Sequence, residues 1–317
     1  LVGSEMCIRD SRYSYYRTAA CTLNVSIGDP QANKEEILKC IQELDSDTQL
    51  VVFPELCITG YTCQDLFYEH TLLNKAKQVL FEIVEELPEN LVAVLGLPLE
   101  IDNKLYNCAA ICFNHDILGI QVKTYIPSYN EFYETRWFSS ASELKENTTL
   151  TYKNKKVPVS NHIVFKDTTT SACLGIEICE DLWVTIPVSS THALAGANIL
   201  CNLSASNEII SKANYRRNLV KDQSAKCYAG YIYASAGPTE SSSDLVFSGH
   251  NLICENGAIL NETKTDKIIY GQIDLDHLNH DRLHYKTSMQ DLFHVNYTTV
   301  DFASKPIHEI EFNRYID

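Results

Sequence analysis

Leu174-Gly175-Ile176-Glu177-Ile178-Cys179-Glu180-Asp181-Leu182-Trp183 decides how the rest of the chain is read. An apolar, β-leaning run from Ser171 to Ile178 ends on a cysteine, where acidic residues take over. Ile186-Pro187 and then Ser189-Ser190-Thr191 follow, and a proline just ahead of such residues suits a helix start. The stretch therefore predicts a strand, a tight turn and a helix. A cysteine on such a turn is held rigidly and faces open space, where nearby amide N–H groups favour a thiolate or an oxyanion. Free cysteines are also among the most buried residues, so the turn alone marks only a candidate.

Outward from this turn, strands and helices succeed one another without a strict alternation. Upstream, Arg17 to Ile27 reads as a strand closed by Gly28-Asp29-Pro30, and Glu35 to Leu44 as a helix with Ile37, Leu38, Ile41 and Leu44 on one face. Leu50 to Phe53 is a short buried strand ended by Pro54-Glu55, and Leu72 to Glu86 is a second amphipathic helix. Leu91 to Gly96 is a strand. Asn107 to Phe113 and Leu118 to Val122 form a hairpin around Asn114-His115-Asp116. An aromatic segment from Tyr125 to Phe138 follows, and Ser139 to Lys166 is expected to be a polar surface excursion. Downstream come a short helix through His192, a strand over Ile199–Leu203 and a helix over Ala213–Ala229. Strands follow at Tyr231–Ser235, Leu252–Cys254, Ala258–Leu260 and Ile268–Ile273. Such a pattern favours α/β layers.

The length of 317 residues and a 45% hydrophobic content supply a real core. No apolar run is long enough to span a bilayer. The formal charge of −15 argues against nucleic acid or an anionic membrane surface as partner. Twelve cysteines are dilute at this length; there is no CxxC, and the closest pair, Cys108 and Cys112, sits in an apolar run. Reduced thiols in a cytoplasmic protein are the expectation. The histidines are spread along the chain without a paired Cys/His pattern, so no metal site is expected, and no GxGxxG supports a Rossmann nucleotide role.

Glu55, Lys123 and Cys179 each fall just past the C-terminal end of an expected strand, the usual place for a site in layered α/β proteins. A carboxylate, an ammonium and a thiol are what acyl transfer through a thioester requires. The carboxylate moves the proton, while the lysine and the backbone N–H of Glu180 face the developing oxyanion. Taken singly, each has a plainer reading: a strand-end cap, a solvated charge, a core thiol.

The segments Phe53-Pro54-Glu55-Leu56-Cys57-Ile58-Thr59-Gly60-Tyr61, Lys123-Thr124-Tyr125-Ile126-Pro127 and Glu177 to Trp183 resemble the three signature blocks of the nitrilase, or carbon–nitrogen hydrolase, superfamily, in its order and at its spacing. Glu55, Lys123 and Cys179 fall on its catalytic triad. Within it, Tyr129-Asn130-Glu131-Phe132-Tyr133-Glu134, Asn202 to Glu208, Asp65-Leu66-Phe67 and Asn214-Tyr215-Arg216-Arg217 resemble the glutaminase domains of glutamine-dependent NAD synthetases, over about residues 17 to 275.

The resemblance implies a four-layer α-β-β-α sandwich and hydrolysis of the glutamine side-chain amide, with glutamine near Tyr61, Tyr129, Phe132, Glu134, Glu180, Ser206 and Lys212. Another small amide, or a catalytically silent docking role, are the alternatives. Glu131 is a further candidate for positioning Lys123 or the substrate. Asp181 and Trp183 read as bracing the turn, and Arg216 and Arg217 as a solvated or interface face of a helix. No cofactor is implied for this domain; ATP and Mg²⁺ are expected only with a synthetase domain, in cis or in trans. The Ser-Gly-Gly-x-Asp-Ser loop of such a domain is absent, with Ser248-Gly249-His250 the nearest string. The expected organisation is an adaptor-derived segment 1–11, a hydrolase domain 12–275 and an extension or linker 276–317 of a truncated chain that forms a homo-oligomer.

Overall fold

The computed structural model describes residues 14–290 and 294–305. The adaptor-derived segment expected at 1–11 lies outside them. The chain runs β1 (Tyr15–Cys21), α1 (Pro30–Gln42), β2 (Leu50–Val52), α2 (His70–Glu86), β3 (Val92–Ile101), β4 (Lys104–Phe113) and β5 (Asp116–Val122). It continues through β6 (Thr149–Tyr152), β7 (Lys155–Ser160), β8 (Ile163–Asp167), β9 (Cys173–Ile178), α3 (Val188–Leu194), β10 (Ile199–Ser204) and α4 (Lys212–Lys226). The remaining elements are β11 (Gly230–Ser235), β12 (Asn251–Glu255), β13 (Ala258–Thr263), β14 (Ile268–Asp274), α5 (Leu275–His284) and β15 (Thr298–Phe302).

The strands form two sheets, ordered β14-β1-β2-β3-β4-β5-β7-β6 and β13-β12-β11-β10-β9-β8-β15. Side-chain alternation explains why they stack. On β2, Leu50 and Val52 point into an apolar layer shared with Ile176 and Ile178 of β9 and Ile199 and Leu203 of β10. Val51, between them, faces the other way and meets Ile37 and Cys40 of α1 and Val79, Leu80 and Ile83 of α2. Across the molecule, Leu200 of β10 and Tyr231 of β11 turn outward against Ala193 of α3 and Val220 of α4. Helix, sheet, sheet, helix is thus the order of the layers, a four-layer α-β-β-α sandwich.

Local sequence sets the outer elements. Asp29 caps α1 by accepting from the backbone N–H groups of Gln31 and Ala32, and Pro30 opens the helix. Several segments differ from the sequence reading: β1 ends at Cys21 and does not run to Ile27, and α5 occupies the start of the expected extension. Ser139–Lys166, expected as an excursion, contains β6, β7 and β8; the first two form an edge hairpin turning at Lys153 and Asn154, both at positive φ. Lysines and threonines on a half-exposed edge strand hide the apolar alternation that marks a central one. Thr298–Phe302, within the expected extension, pairs in parallel with β8 at the edge of the second sheet.

Candidate active site

Parallel pairing puts the ends of several strands on one rim. β1, β2 and β3 run parallel, and β5 regains their direction after the antiparallel β4. In the facing sheet β9, β10 and β11 also run parallel. Glu55 lies just after β2, Lys123 after β5, Cys179 after β9, and Ala205 to Asn207 after β10. All four segments meet.

Lys123 and Glu55 have no solvent exposure, and Glu134 almost none. The Lys123 Nζ donates to Glu55 Oε1 at 2.6 Å and to Glu134 Oε1 and Oε2 at 2.9 and 2.8 Å. Glu55 also accepts from Asn107 Nδ2 at 2.7 Å and, through Oε2, from the Ala205 backbone N–H at 2.9 Å. Tyr61 donates its hydroxyl to Glu134 Oε1 at 2.7 Å. Burial opposes the charge on Lys123, but Glu134 and Glu55 outweigh it and hold the ammonium well above its usual range. Burial pushes the Glu134 carboxyl up, with Lys123 acting the other way.

Cys179 begins a single 3₁₀ turn, Cys179–Leu182, at a φ of +45°. A side-chain-bearing residue there is strained, and its surroundings must hold it. Asp181 does so: Oδ2 accepts from the Ile178 N–H at 3.1 Å, and Oδ1 from the Thr124 and Tyr125 N–H groups at 3.1 and 2.9 Å. The cysteine turn is thereby tied to the segment that follows Lys123. Burial raises the Cys179 pKa, the Glu55 and Glu134 carboxylates raise it further, and Lys123 and the Ala205 N–H oppose them. The three strand-end side chains therefore share one buried site.

The other expected contacts are placed around it. A cavity of about 20 Å³ is lined in part by Tyr61, Glu131, Phe132 and Glu134. At the rim, Tyr129 donates its hydroxyl to Glu180 Oε2 at 2.8 Å. The Lys212 Nζ stands 5.5 Å from the Phe132 ring centre and 5.0 Å from that of Trp183, and bonds Asn207, which in turn bonds Glu131. Ser206 is buried, with Oγ accepting from Arg216. The contact with Lys123 is made by Glu134, whereas Glu131 reaches Asn207. A turn of 3₁₀ helix at Glu134–Arg136 directs Glu134 inward.

Arg216 corrects the sequence reading. It is wholly buried, donating to Glu208, His250, Ser206 and the Asn207 carbonyl, because α4 turns this side towards the loop after β10. Arg217 is half-buried against Glu262. Asn107 was missed altogether, although a signal existed: one amide in an apolar strand, opposite Lys123 in the hairpin, whose N–H bonds the Asn107 carbonyl at 2.9 Å. His280 and His284, four apart on α5, lie with ring centres 4.1 Å apart, and among the described residues no cluster of three or more His, Cys, Asp or Glu would hold a metal. The described cysteines are all buried and free of disulfides. No helix of the described residues is long and apolar enough to cross a membrane.

A family model for carbon–nitrogen hydrolases matches residues 17–282. The chain belongs to the carbon–nitrogen hydrolase family. It is 35% identical over 307 residues to a glutamine-dependent NAD(+) synthetase of Mycobacterium tuberculosis, covering 93% of this chain and 45% of that relative. With the human glutamine-dependent NAD(+) synthetase it shares 32% identity over 249 residues, 76% of this chain and 35% of the relative. The chain thus spans less than half the length of these relatives. A glutamine-dependent NAD(+) synthetase from Cytophaga hutchinsonii superposes with a TM-score of 0.73 at 29% identity, over 82% of this chain and 43% of that one. Saccharomyces cerevisiae Nit3, of the nitrilase superfamily, shares the fold of this carbon–nitrogen hydrolase at a TM-score of 0.67 and 20% identity, over 86% and 94% of the two chains.

Proposed function

We propose that this carbon–nitrogen hydrolase cleaves the side-chain amide of glutamine through a Cys179 thioester, and that the ammonia serves NAD formation from deamido-NAD at a synthetase domain, in cis or in trans. The observation that carries the reading is the buried Lys123 ammonium held between Glu55 and Glu134, with the Cys179 sulfur under the influence of all three charges. The kinship with NAD(+) synthetases supports glutamine as substrate.

A thiol kept protonated by burial needs a base as it attacks. Glu55 takes the proton while the sulfur bonds the amide carbon. Lys123 and the Glu180 backbone N–H face the resulting oxyanion, in a site where low polarity strengthens both interactions. Glu55 then passes the proton to the departing nitrogen and ammonia leaves. Water attacks the thioester, Glu55 takes its proton, the C–S bond breaks to release glutamate, and Glu55 returns that proton to the Cys179 sulfur, restoring thiol and carboxylate. Tyr61, Tyr129, Phe132, Glu134, Glu180, Ser206 and Lys212 surround the substrate, with the Tyr129 hydroxyl and the Glu180 carboxylate at the rim meeting its amino-acid end. ATP and Mg²⁺ belong to the synthetase reaction alone, and a cytoplasmic homo-oligomer is the expected form.

The test is ammonia release from glutamine set against a panel of small amides, with Cys179→Ala alongside. Glutamine turns over best and the variant not at all. Preference for another amide would replace the substrate, and normal release by Cys179→Ala would end the nucleophile assignment. Failure on every amide, with Cys179 inert to a glutamine-like diazo ketone, would favour a docking role.

A further inference from the structure

Beside Tyr61 lies a carboxyl that the chemistry above leaves unused. Glu240 closes the 3₁₀ turn Pro238–Glu240 in the loop after β11, and no part of it reaches solvent. Its Oε2 accepts from the Tyr61 backbone N–H at 2.6 Å, and its carbonyl accepts from Thr62 Oγ1 at 3.0 Å. Its Oε1 has no hydrogen-bond partner. Gly60, at a φ of +88°, brings the chain so close that a Cβ there would stand 3.6 Å from Glu240 Oε2 and 3.2 Å from Val25. From this turn Tyr61 reaches into the charged cluster and bonds Glu134, which bonds Lys123.

We propose that Glu240 is a positioning residue for the reaction at Cys179: it clamps the Gly60–Tyr61 turn so that the Tyr61 hydroxyl holds Glu134 against Lys123. The proposal rests on the reading of Cys179 as the nucleophile of an amide hydrolase. Its chemistry is consistent with the site. Burial pushes the Glu240 pKa up to about 8, the Tyr61 amide opposes this, and the charge of Glu55 adds to it. Near neutral pH the carboxyl is therefore chiefly uncharged, and it accepts one N–H without competing with Glu55 and Glu134 for Lys123. Its removal leaves the buried Tyr61 amide without an acceptor, which frees the turn and lets the hydroxyl withdraw from Glu134.

The experiment compares Glu240→Ala, Glu240→Asp, Glu240→Gln, Tyr61→Phe and the Tyr61→Phe/Glu240→Ala pair in the full chain. The kcat for ammonia release is normalised to Cys179 thiol, counted by peptide mapping after iodoacetamide labelling and multiplied by the folded fraction read from near-UV circular dichroism, which separates positioning from loss of folded protein. Glu240→Ala lowers kcat per thiol about tenfold to a hundredfold, as a misplaced catalytic group does. Glu240→Gln keeps an acceptor oxygen and recovers most of the rate. On the Tyr61→Phe background the Glu240→Ala change costs little more, because both act through one hydroxyl. Wild-type kcat per thiol in Glu240→Ala, or losses that multiply in full in the pair, would overturn the proposal. Should Glu240→Ala not fold, Glu240→Asp withdraws the acceptor in its place, and an unchanged kcat per thiol there would overturn it equally. Should the wild-type chain leave glutamine intact, the substrate assignment fails on its own account. The rate of Cys179 alkylation at one fixed pH then decides: slowed in Glu240→Ala or Glu240→Asp it supports the clamp, unchanged it removes it.

Discussion

Lys123 donates to both oxygens of Glu134, at 2.9 and 2.8 Å, in a place solvent hardly reaches. With Glu55 on its other side, one ammonium is shared by two carboxylates. The arrangement makes the ammonium the group on which the cluster depends. Loss of Lys123 leaves two buried acids facing each other, whereas loss of the Glu134 charge leaves a matched Glu55–Lys123 pair.

Lys123→Met should therefore destabilise the fold by about 3–5 kcal/mol, the cost of stranding buried charge. Glu134→Gln should cost less, about 1–2 kcal/mol, since the amide still fills the space and can accept one bond. Urea unfolding of the two variants measures the difference, and the reverse order would contradict this account of the cluster.

Glu55→Gln keeps the shape of the side chain but cannot carry a proton. Thioester formation and breakdown both need that transfer, so ammonia release should fall by about 10²- to 10⁴-fold while the fold persists. Steady-state assay with a melting curve checks both halves; normal turnover would place the base elsewhere.

Gly96 of β3 leaves no room for a methyl group. A Cβ there would stand 2.4 Å from the Leu56 nitrogen, 2.7 Å from the Pro54 oxygen and 3.0 Å from the Glu55 carbonyl carbon. Gly96→Ala must push back the turn that carries Glu55, at a cost of about 1–3 kcal/mol from overpacking. The displaced carboxylate should also lower ammonia release by about a hundredfold. A variant that loses stability yet keeps wild-type kcat per folded molecule would show that the Glu55 position tolerates the shift.

His192 of α3 is wholly buried, with Nε2 bonded to the Ile176 carbonyl at 2.7 Å and Nδ1 without a partner. Burial lowers its pKa from 6.5 to about 4. The unfolded chain therefore binds a proton that the folded chain refuses between those values. The stability due to neutral His192 is complete above pH about 6.5 and is lost as the pH falls towards 4, by about 3 kcal/mol in all. Unfolding free energies of wild type and His192→Gln across this window should converge as the pH drops; parallel curves would remove His192 as the cause.

Much of the fold was legible because its signals are local. The apolar runs of β2 and β9, the one-faced helix α2 and the Asp29-Pro30 start of α1 each declare themselves over a few residues. The edge hairpin of β6 and β7 did not, since exposed strands carry the lysines and threonines of loops. Arg216 was misread for a related reason. In a charged helix, spacing does not tell which guanidinium a distant loop will cover, and here the Ser206–Glu208 segment covers one that neighbouring Arg217 does not share.

Sequence by itself determined the kinds of group available and their place at strand ends: an acid at Glu55, an amine at Lys123 and a sulfur at Cys179, each following an apolar run whose end a proline or a charge announces. It could not tell which glutamate of Glu131 and Glu134 would meet Lys123, nor that Asn107, Ala205 and Glu240 would close around the same point. The choice of Glu134, 11 residues from Lys123, rests on the 3₁₀ turn that directs it inward. The other three depend on contacts 52 to 179 residues apart, where the packing of two sheets sets which polar groups must satisfy one another away from water.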